Sequence, residues 1–296
     1  MMSELVTHTE DVLSIWHDYM KGLSPDQHSV VGKLRVMHDV ESQTLGNKRD
    51  ILVYLPPSYH RVQRFYPVIY MHDGQNLFDN STSFVGEWEV DETMESLASE
   101  GYEAIIVGIP NTGETRILEY NPFEHPRFGS GRGDDYLSFI VDTVKPLIDT
   151  HFRTLPEREH TGIMGSSMGG LISLYAFFAR ADVFGLAGVL SPSLWIARNA
   201  MSQYIRARPY QPGKLYLDVG GREIASRFDA MRLNSASRRY CASVRRLARL
   251  LEKQGYKDGE LLFVEDREGT HSERDWARRL PDALRFLLAQ FTTPLR

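Results

Sequence analysis

Hydrophobic and polar positions along the chain alternate between two rhythms, short apolar runs and longer stripes at helical spacing. Val30 to Met37 and Arg49 to Leu55 read as strands joined by a turn at Leu45-Gly46-Asn47, and Pro56-Pro57 ends the second, since proline cannot donate to a ladder. Pro67 to Met71, Ala104 to Ile109, Glu159 to Met164, Leu186 to Leu190, Lys214 to Val219 and Leu261 to Val264 are further strands. The continuous apolar run Ala104-Ile105-Ile106-Val107-Gly108-Ile109 has the character of a strand covered on both faces. Between the strands, residues 89–100, 136–152, 170–180, 237–254 and 276–291 carry helical patterns, and residues 194–212 form a small helical excursion. Residues 111–133 are rich in Gly, Pro, Asn and charge and read as a long loop. Residues 9–20 predict one more helix, so residues 1–29 are expected to be an N-terminal helical extension packed on a single domain spanning 30–296. Strands alternating with helices imply an α/β fold: a mostly parallel sheet, helices on both faces and an antiparallel N-terminal strand pair.

Composition narrows the class. The 296 residues are 42% hydrophobic and 25% charged, ordinary values for a globular chain, and the net charge of -5 points to neither nucleic acid nor a membrane surface. One cysteine, Cys241, excludes an internal disulfide, and no apolar run approaches the ~20 residues that span a bilayer. Met1 to Leu5 carry no signal pattern, so a cytoplasmic location is expected.

The chemistry centres on Gly165-Ser166-Ser167-Met168-Gly169, a G-x-S-x-G between a strand and a helix. In that context the pattern is a nucleophile elbow: the serine sits on a strained turn, and glycines two residues either side let strand and helix pass closely. A serine hydroxyl needs a base, and chain order for such an elbow is serine, acid, histidine. Ten histidines are present, but only His271 follows Ser167, in a loop past the last strand. Glu223, on the glycine-loosened stretch after the preceding strand, is the expected orienting acid, with Asp218 and Asp229 as alternatives. The amide after the nucleophile, on Met168, supplies one oxyanion donor, and the loop His72-Asp73-Gly74-Gln75-Asn76 supplies the second, from Gln75 or its neighbour Gly74. His72 and Asp73 lack further ligands at metal spacing and read as loop-fixing groups. Gly129 to Gly133 lacks the lysine and hydroxyl of a phosphate-binding loop.

With these residues in view, the chain resembles the esterase D / enterochelin-esterase group of α/β hydrolases, called the putative esterase family. The resemblance runs from about Val30 to the C-terminus. It is carried by Arg49 to Pro57, His72 to Asp79, Gly165 to Gly170, Ser191-Pro192-Ser193-Leu194-Trp195 and Gly269-Thr270-His271. It implies an α/β-hydrolase fold and a serine esterase needing no metal or other cofactor, acting on siderophore, feruloyl, acetyl-sugar or S-formylglutathione esters. The family's Arg-x-x-Glu-Tyr segment matches Arg116 to Tyr120 and implies a part in shaping the pocket. Trp88, Tyr120 and Trp195 are candidates for its walls and equally for core aromatics. The expected activity is hydrolysis of a small soluble ester through an acyl-enzyme, with no nucleic-acid or membrane partner. Acyl transfer by the same residues and a non-catalytic binding module are the alternatives.

Overall fold

The structure is a computed structural model and describes residues 15–197, 199–224 and 235–292. Its strands are β1 (His17–Asp18), β2 (Lys33–Ser42), β3 (Asn47–Leu55), β4 (Val68–His72), β5 (Ile105–Ile109), β6 (Thr161–Ser166), β7 (Leu186–Leu190), β8 (Lys214–Arg222) and β9 (Leu261–Thr270). The helices are α1 (Val90–Ala98), α2 (Arg116–Glu119), α3 (Gly133–Ser138), α4 (Lys145–His151), α5 (Met168–Ala179), α6 (Leu194–Ala197), α7 (Ala200–Arg206), α8 (Ser235–Gln254) and α9 (Glu273–Leu288). All nine strands join one sheet in the order β1-β2-β3-β5-β4-β6-β7-β8-β9. The first four in that order pair antiparallel, and the rest, from β5 to β9, are parallel. This is the mostly parallel sheet with an antiparallel N-terminal pair that the alternation of elements predicts, arranged as the resemblance to α/β hydrolases implies.

The pleat divides the apolar residues between two cores. In β4, Val68 and Tyr70 face the layer holding α5 and α8, with Leu171, Leu174, Phe177, Val244 and Leu247. Ile69 and Met71 face the other layer, built on α1 and α9 with Met94, Leu97, Leu280 and Leu284. A period-2 strand buried on both faces has no polar side, and all five residues of β4, β5 and β7 are buried. The arginines of α8 lie opposite its apolar stripe, where Arg245 pairs with Glu265 of β9. Among the described residues no helix is long and apolar enough to cross a membrane.

Several elements differ from the sequence pattern. The helix expected over 9–20 lies, for residues 9–14, outside the described residues. From Ile15 to Met20 the chain instead turns and forms β1 on the sheet edge, with Trp16 buried against Phe152. The strands at the far end of the sheet run longer than their apolar cores: β8 continues to Arg222 and β9 to Thr270. Arg222, Arg267 and Glu268 in these extensions are exposed and Asp266 is ion-paired with α9, so the apolar pattern stops before the ladder does. The long loop over 111–133 contains the four-residue helix α2, held to β3 by a buried ion pair between Arg49 and Glu119 at 3.0 Å. Between α3 and α4, residues Phe139–Val144 form a π-helical turn beside Pro146, whose missing N–H interrupts the ordinary ladder.

Arg49→Met leaves Glu119 buried without its cation and is expected to lower stability by about 3–5 kcal/mol in urea unfolding. Adding Glu119→Gln should return part of that loss; a double variant as unstable as the sum of the singles would show that the two side chains do not act as a pair.

Candidate active site

The four adjacent strands β6 to β9 each deliver a polar residue just past the carboxyl end, and adjacency in the sheet makes these residues neighbours. Ser167 follows β6, Ser191 to Ser193 follow β7, Glu223 follows β8 and His271 follows β9. Arg222 pairs with Thr270 in the ladder, so Glu223 and His271 leave adjacent strands side by side. His271 Nδ1 lies 2.5 Å from Glu223 Oε2, and its Nε2 lies 2.9 Å from Ser167 Oγ. The imidazole is partly exposed and the Glu223 carboxylate is buried.

The turn at Ser167 has φ 57 and ψ -115, a left-handed backbone that costs a non-glycine residue energy. The close packing shows why its neighbours are glycines. A Cβ on Gly165 would sit 2.8 Å from the His72 ring and 3.0 Å from the Gly169 carbonyl carbon. Asp73 and Ser191, at the ends of β4 and β7, also have positive φ, so backbone strain gathers on this rim. The Ser167 carbonyl accepts from the amides of Leu171 and Ser193, which fix the turn.

Glu223 is held from behind. Its Oε1 accepts the Gly220 amide at 2.6 Å and the Ser191 hydroxyl at 2.5 Å. Ser191 Oγ in turn accepts from Trp276 Nε1 and Arg279 Nη2, and the Ser191 carbonyl accepts the Tyr240 hydroxyl. Asp218, the first alternative acid, points away from the imidazole. It accepts the Ser191 amide and pairs with Arg279 Nε at 2.9 Å, and burial pushes its carboxyl up to about 6 against the pull of that arginine. Asp229 lies outside the described residues. His271 is set by its neighbours, since Thr270 and the helix-capping Ser272 both bond Asp275 in the first turn of α9.

Ser193 is the contact that sequence reasoning missed: its hydroxyl, almost wholly buried, lies 3.0 Å from Ser167 Oγ. The motif containing it is visible in the chain, but its approach to Ser167 depends on β7 lying beside β6. On the other side, Gly74 to Asn76 form one turn of 3₁₀ helix after β4. A Cβ on Gly74 would meet the backbone of Gly108, Ile109 and Pro110 at 2.7 Å, which packs this turn against the end of β5. Asp73 opposes a full fork from Arg116, at 2.7 Å for each nitrogen, and accepts Asn111 Nδ2. Burial alone would raise the Asp73 carboxyl, but the Arg116 pair holds it below the usual range.

Ser167 and His271 border two depressions. A cleft of about 920 Å³ opens past Gln75, Trp88, Arg116, Glu273 and Trp276. A groove of about 540 Å³ on the other side is walled by Ser193, Trp195 and Tyr240. Trp88 and Arg116 therefore face the cleft and Trp195 the groove. Tyr120 does neither: it is fully buried beneath Arg116 and accepts the Asp73 amide, so the expected pocket wall is a support behind it.

The family described as "Putative esterase" matches residues 42–287. The chain belongs to that esterase family. An uncharacterized protein, YbbA of Bacillus subtilis, is 27% identical over 251 residues, 82% of this chain and 93% of that one. A siderophore triacetylfusarinine C esterase of Aspergillus fumigatus is 28% identical over 135 residues, 44% of each chain. Among solved structures, the siderophore hydrolase EstA from Aspergillus nidulans superposes with a TM-score of 0.69 at 20% identity, covering 91% of this chain and 98% of that one. The protein is accordingly an esterase of α/β-hydrolase fold.

His72 packs beneath the elbow with Nδ1 on the Tyr136 hydroxyl, and burial depresses its pKa to about 3. The ring is neutral in the fold but takes a proton in the unfolded chain below pH ~6.5. Its contribution is present at neutral pH and declines as pH falls toward 3, at about 1.4 kcal/mol per pH unit. Between about pH 7 and 4.5, His72→Asn should therefore lose about 2–3 kcal/mol less than the parent in urea titrations. Equal losses would remove His72 as the cause.

Proposed function

We propose that the protein is a serine carboxylic-ester hydrolase working through an acyl-enzyme, with Ser167 as nucleophile, His271 as base and Glu223 as orienting acid. The observation that carries this reading is the unbroken relay Ser167–His271–Glu223, whose hydroxyl end opens on a cleft. Ser167 Oγ attacks the ester carbonyl carbon as its proton passes to His271 Nε2. Glu223 holds Nδ1–H and stabilises the imidazolium that forms. The carbonyl oxygen, now an oxyanion, accepts from the Met168 and Gln75 amides. Collapse breaks the ester C–O bond, and the departing alkoxide takes the proton from His271. Water then attacks the acyl-Ser167 carbonyl while His271 accepts its proton, and Ser167 leaves as the hydroxyl with the acid as second product. No metal or cofactor enters this sequence of steps.

The two depressions suit the two limbs of an ester. Trp88, Trp276 and Phe84 give the larger one aromatic walls, while Asn111 and Arg116 give it polar ones. We assign to it the bulkier, ring-bearing limb of a small soluble ester, and to the groove at Trp195 the other. Siderophore esters are candidate substrates because two relatives are named for them. We take residues 30–296 as one catalytic domain carrying the preceding segment on its edge. A reducing, cytoplasmic setting is compatible with one cysteine, Cys241, which is free and buried.

Ser167→Ala and His271→Ala should each lower p-nitrophenyl acetate turnover by about 10⁴-fold or more, with the loss no greater in the double variant, because the two act as a unit. Glu223→Gln should cost about 10⁴-fold. Retention of most activity in any of them would sink the mechanism, and Ser167→Ala must also abolish labelling by a fluorophosphonate.

Gln75→Pro removes one amide donor without touching the triad and should lower kcat by about 10²–10³-fold with little change in KM. An unchanged kcat would move the second donor elsewhere on the loop.

A further inference from the structure

The chain that runs into and opens α1 carries three carboxylates that the esterase chemistry does not use, one just before the helix and two in its first turn. Glu87, Asp91 and Glu92 each bring one oxygen within 4.8 Å of the others, and they are the one such cluster of potential metal ligands among the described residues. Two Ca–O bonds of about 2.4 Å placed end to end span that distance.

Asp91 is fully buried. Its Oδ2 accepts the Val31 amide at 2.7 Å, while Oδ1 is buried with no hydrogen-bond partner. Glu87 repeats the pattern: Oε2 accepts the Ser29 hydroxyl at 2.9 Å and Oε1 is buried and unpartnered. Glu92 Oε2 is a third such oxygen. Among the described residues, no Lys, Arg or His forms an ion pair with any of the three. Asp91 and Glu92 stand in the first turn of α1, where the helix dipole favours negative charge, but the dipole gives the free oxygens no partner. Buried carboxylates left uncompensated are too costly to persist, so either a proton shared between Asp91 and Glu92 or a bound cation must offset their charge.

We propose that Glu87, Asp91 and Glu92 bind a hard divalent cation, with Ca²⁺ preferred over Mg²⁺. The donor set is oxygen only, which excludes the softer metals that favour nitrogen and sulfur. An open set of three carboxylates suits the long, flexible coordination of Ca²⁺ better than the tight octahedron of Mg²⁺, and water completes the shell. The location gives the ion a task. Ser29 and Val31 belong to the segment before β2, whereas Glu87 adjoins Trp88, which lines the active cleft against Trp276. A bound cation would fasten that segment and the cleft wall to the start of α1.

The test uses the full chain freed of metal with a chelator, followed by titration with CaCl₂ at about pH 8. Calorimetry should give one Ca²⁺ per chain with Kd in the range of about 10–1,000 µM. At a tenfold excess over Kd, Tm should rise by about 2–3 °C, and MgCl₂ should do less. Glu87→Gln, a half-exposed position that keeps its Ser29 contact, should fold and weaken Ca²⁺ about tenfold or more; Asp91→Asn should do the same if it folds. Absence of calcium heat and of any Tm change up to several Kd of that range overturns the site, as does a Glu87→Gln protein that binds like the parent. A proton shared by Asp91 and Glu92 is the rival compensation. It would show as a Tm that falls with rising pH and ignores Ca²⁺, which also overturns the proposal.

Discussion

The carboxylate of Glu223 is the interaction on which the rest of the site depends. A buried carboxylate is tolerated only when donors surround it, and here three do: the Gly220 amide, the Ser191 hydroxyl and the His271 imidazole. Because the first two come from β8 and the end of β7, they fix the carboxylate, which holds the third donor in one tautomer and one orientation. The Ser191 hydroxyl can donate to Glu223 because Trp276 and Arg279 supply hydrogens to its lone pairs. Arg279 is kept in place by Asp218. A short chain of charge therefore runs from α9 through β8 to the imidazole, and each member is satisfied by the next.

That chain explains the divided use of two acids on one strand. Asp218 is within β8 and its direction is set by the pleat, so it serves the interior and anchors Arg279 and the Ser191 amide. Glu223 leaves the end of the strand after the irregularity between Gly220 and Arg222, so its side chain can turn back toward β9. A residue at a strand end can approach a ligand-binding rim; one inside the ladder cannot.

The rim also concentrates the strain of the fold. Asp73, Ser167 and Ser191 adopt positive φ at the ends of three parallel strands, and each is locked by bonds made possible by that conformation. Asp73 grips Arg116, Ser167 presents its hydroxyl to His271 and Ser193, and Ser191 braces Glu223. Two buried cores beneath, one on each face of the sheet, provide the stability that such strained positions draw on.

The sequence by itself determined the fold class, because apolar runs of strand length alternating with helical stripes admit few packings other than a covered parallel sheet. It also determined the elbow, since G-x-S-x-G has a local steric meaning, and it singled out His271 by chain order. Position past the strand end made Glu223 the expected acid over Asp218 and Asp229, but its approach to the imidazole and the inward direction of Asp218 were set only by the pleat and by register with β9. The same limit hid Ser193 and the Ser191–Arg279 brace, which are contacts between neighbouring strands whose order in the sheet is not their order in the chain. Tyr120 shows the same limit from the other side: the chain left it open between pocket wall and core aromatic, and packing placed it in the core behind Arg116. Short-range sterics and periodicity are written locally in the chain, whereas the direction of a side chain across a sheet is set by partners far away in sequence.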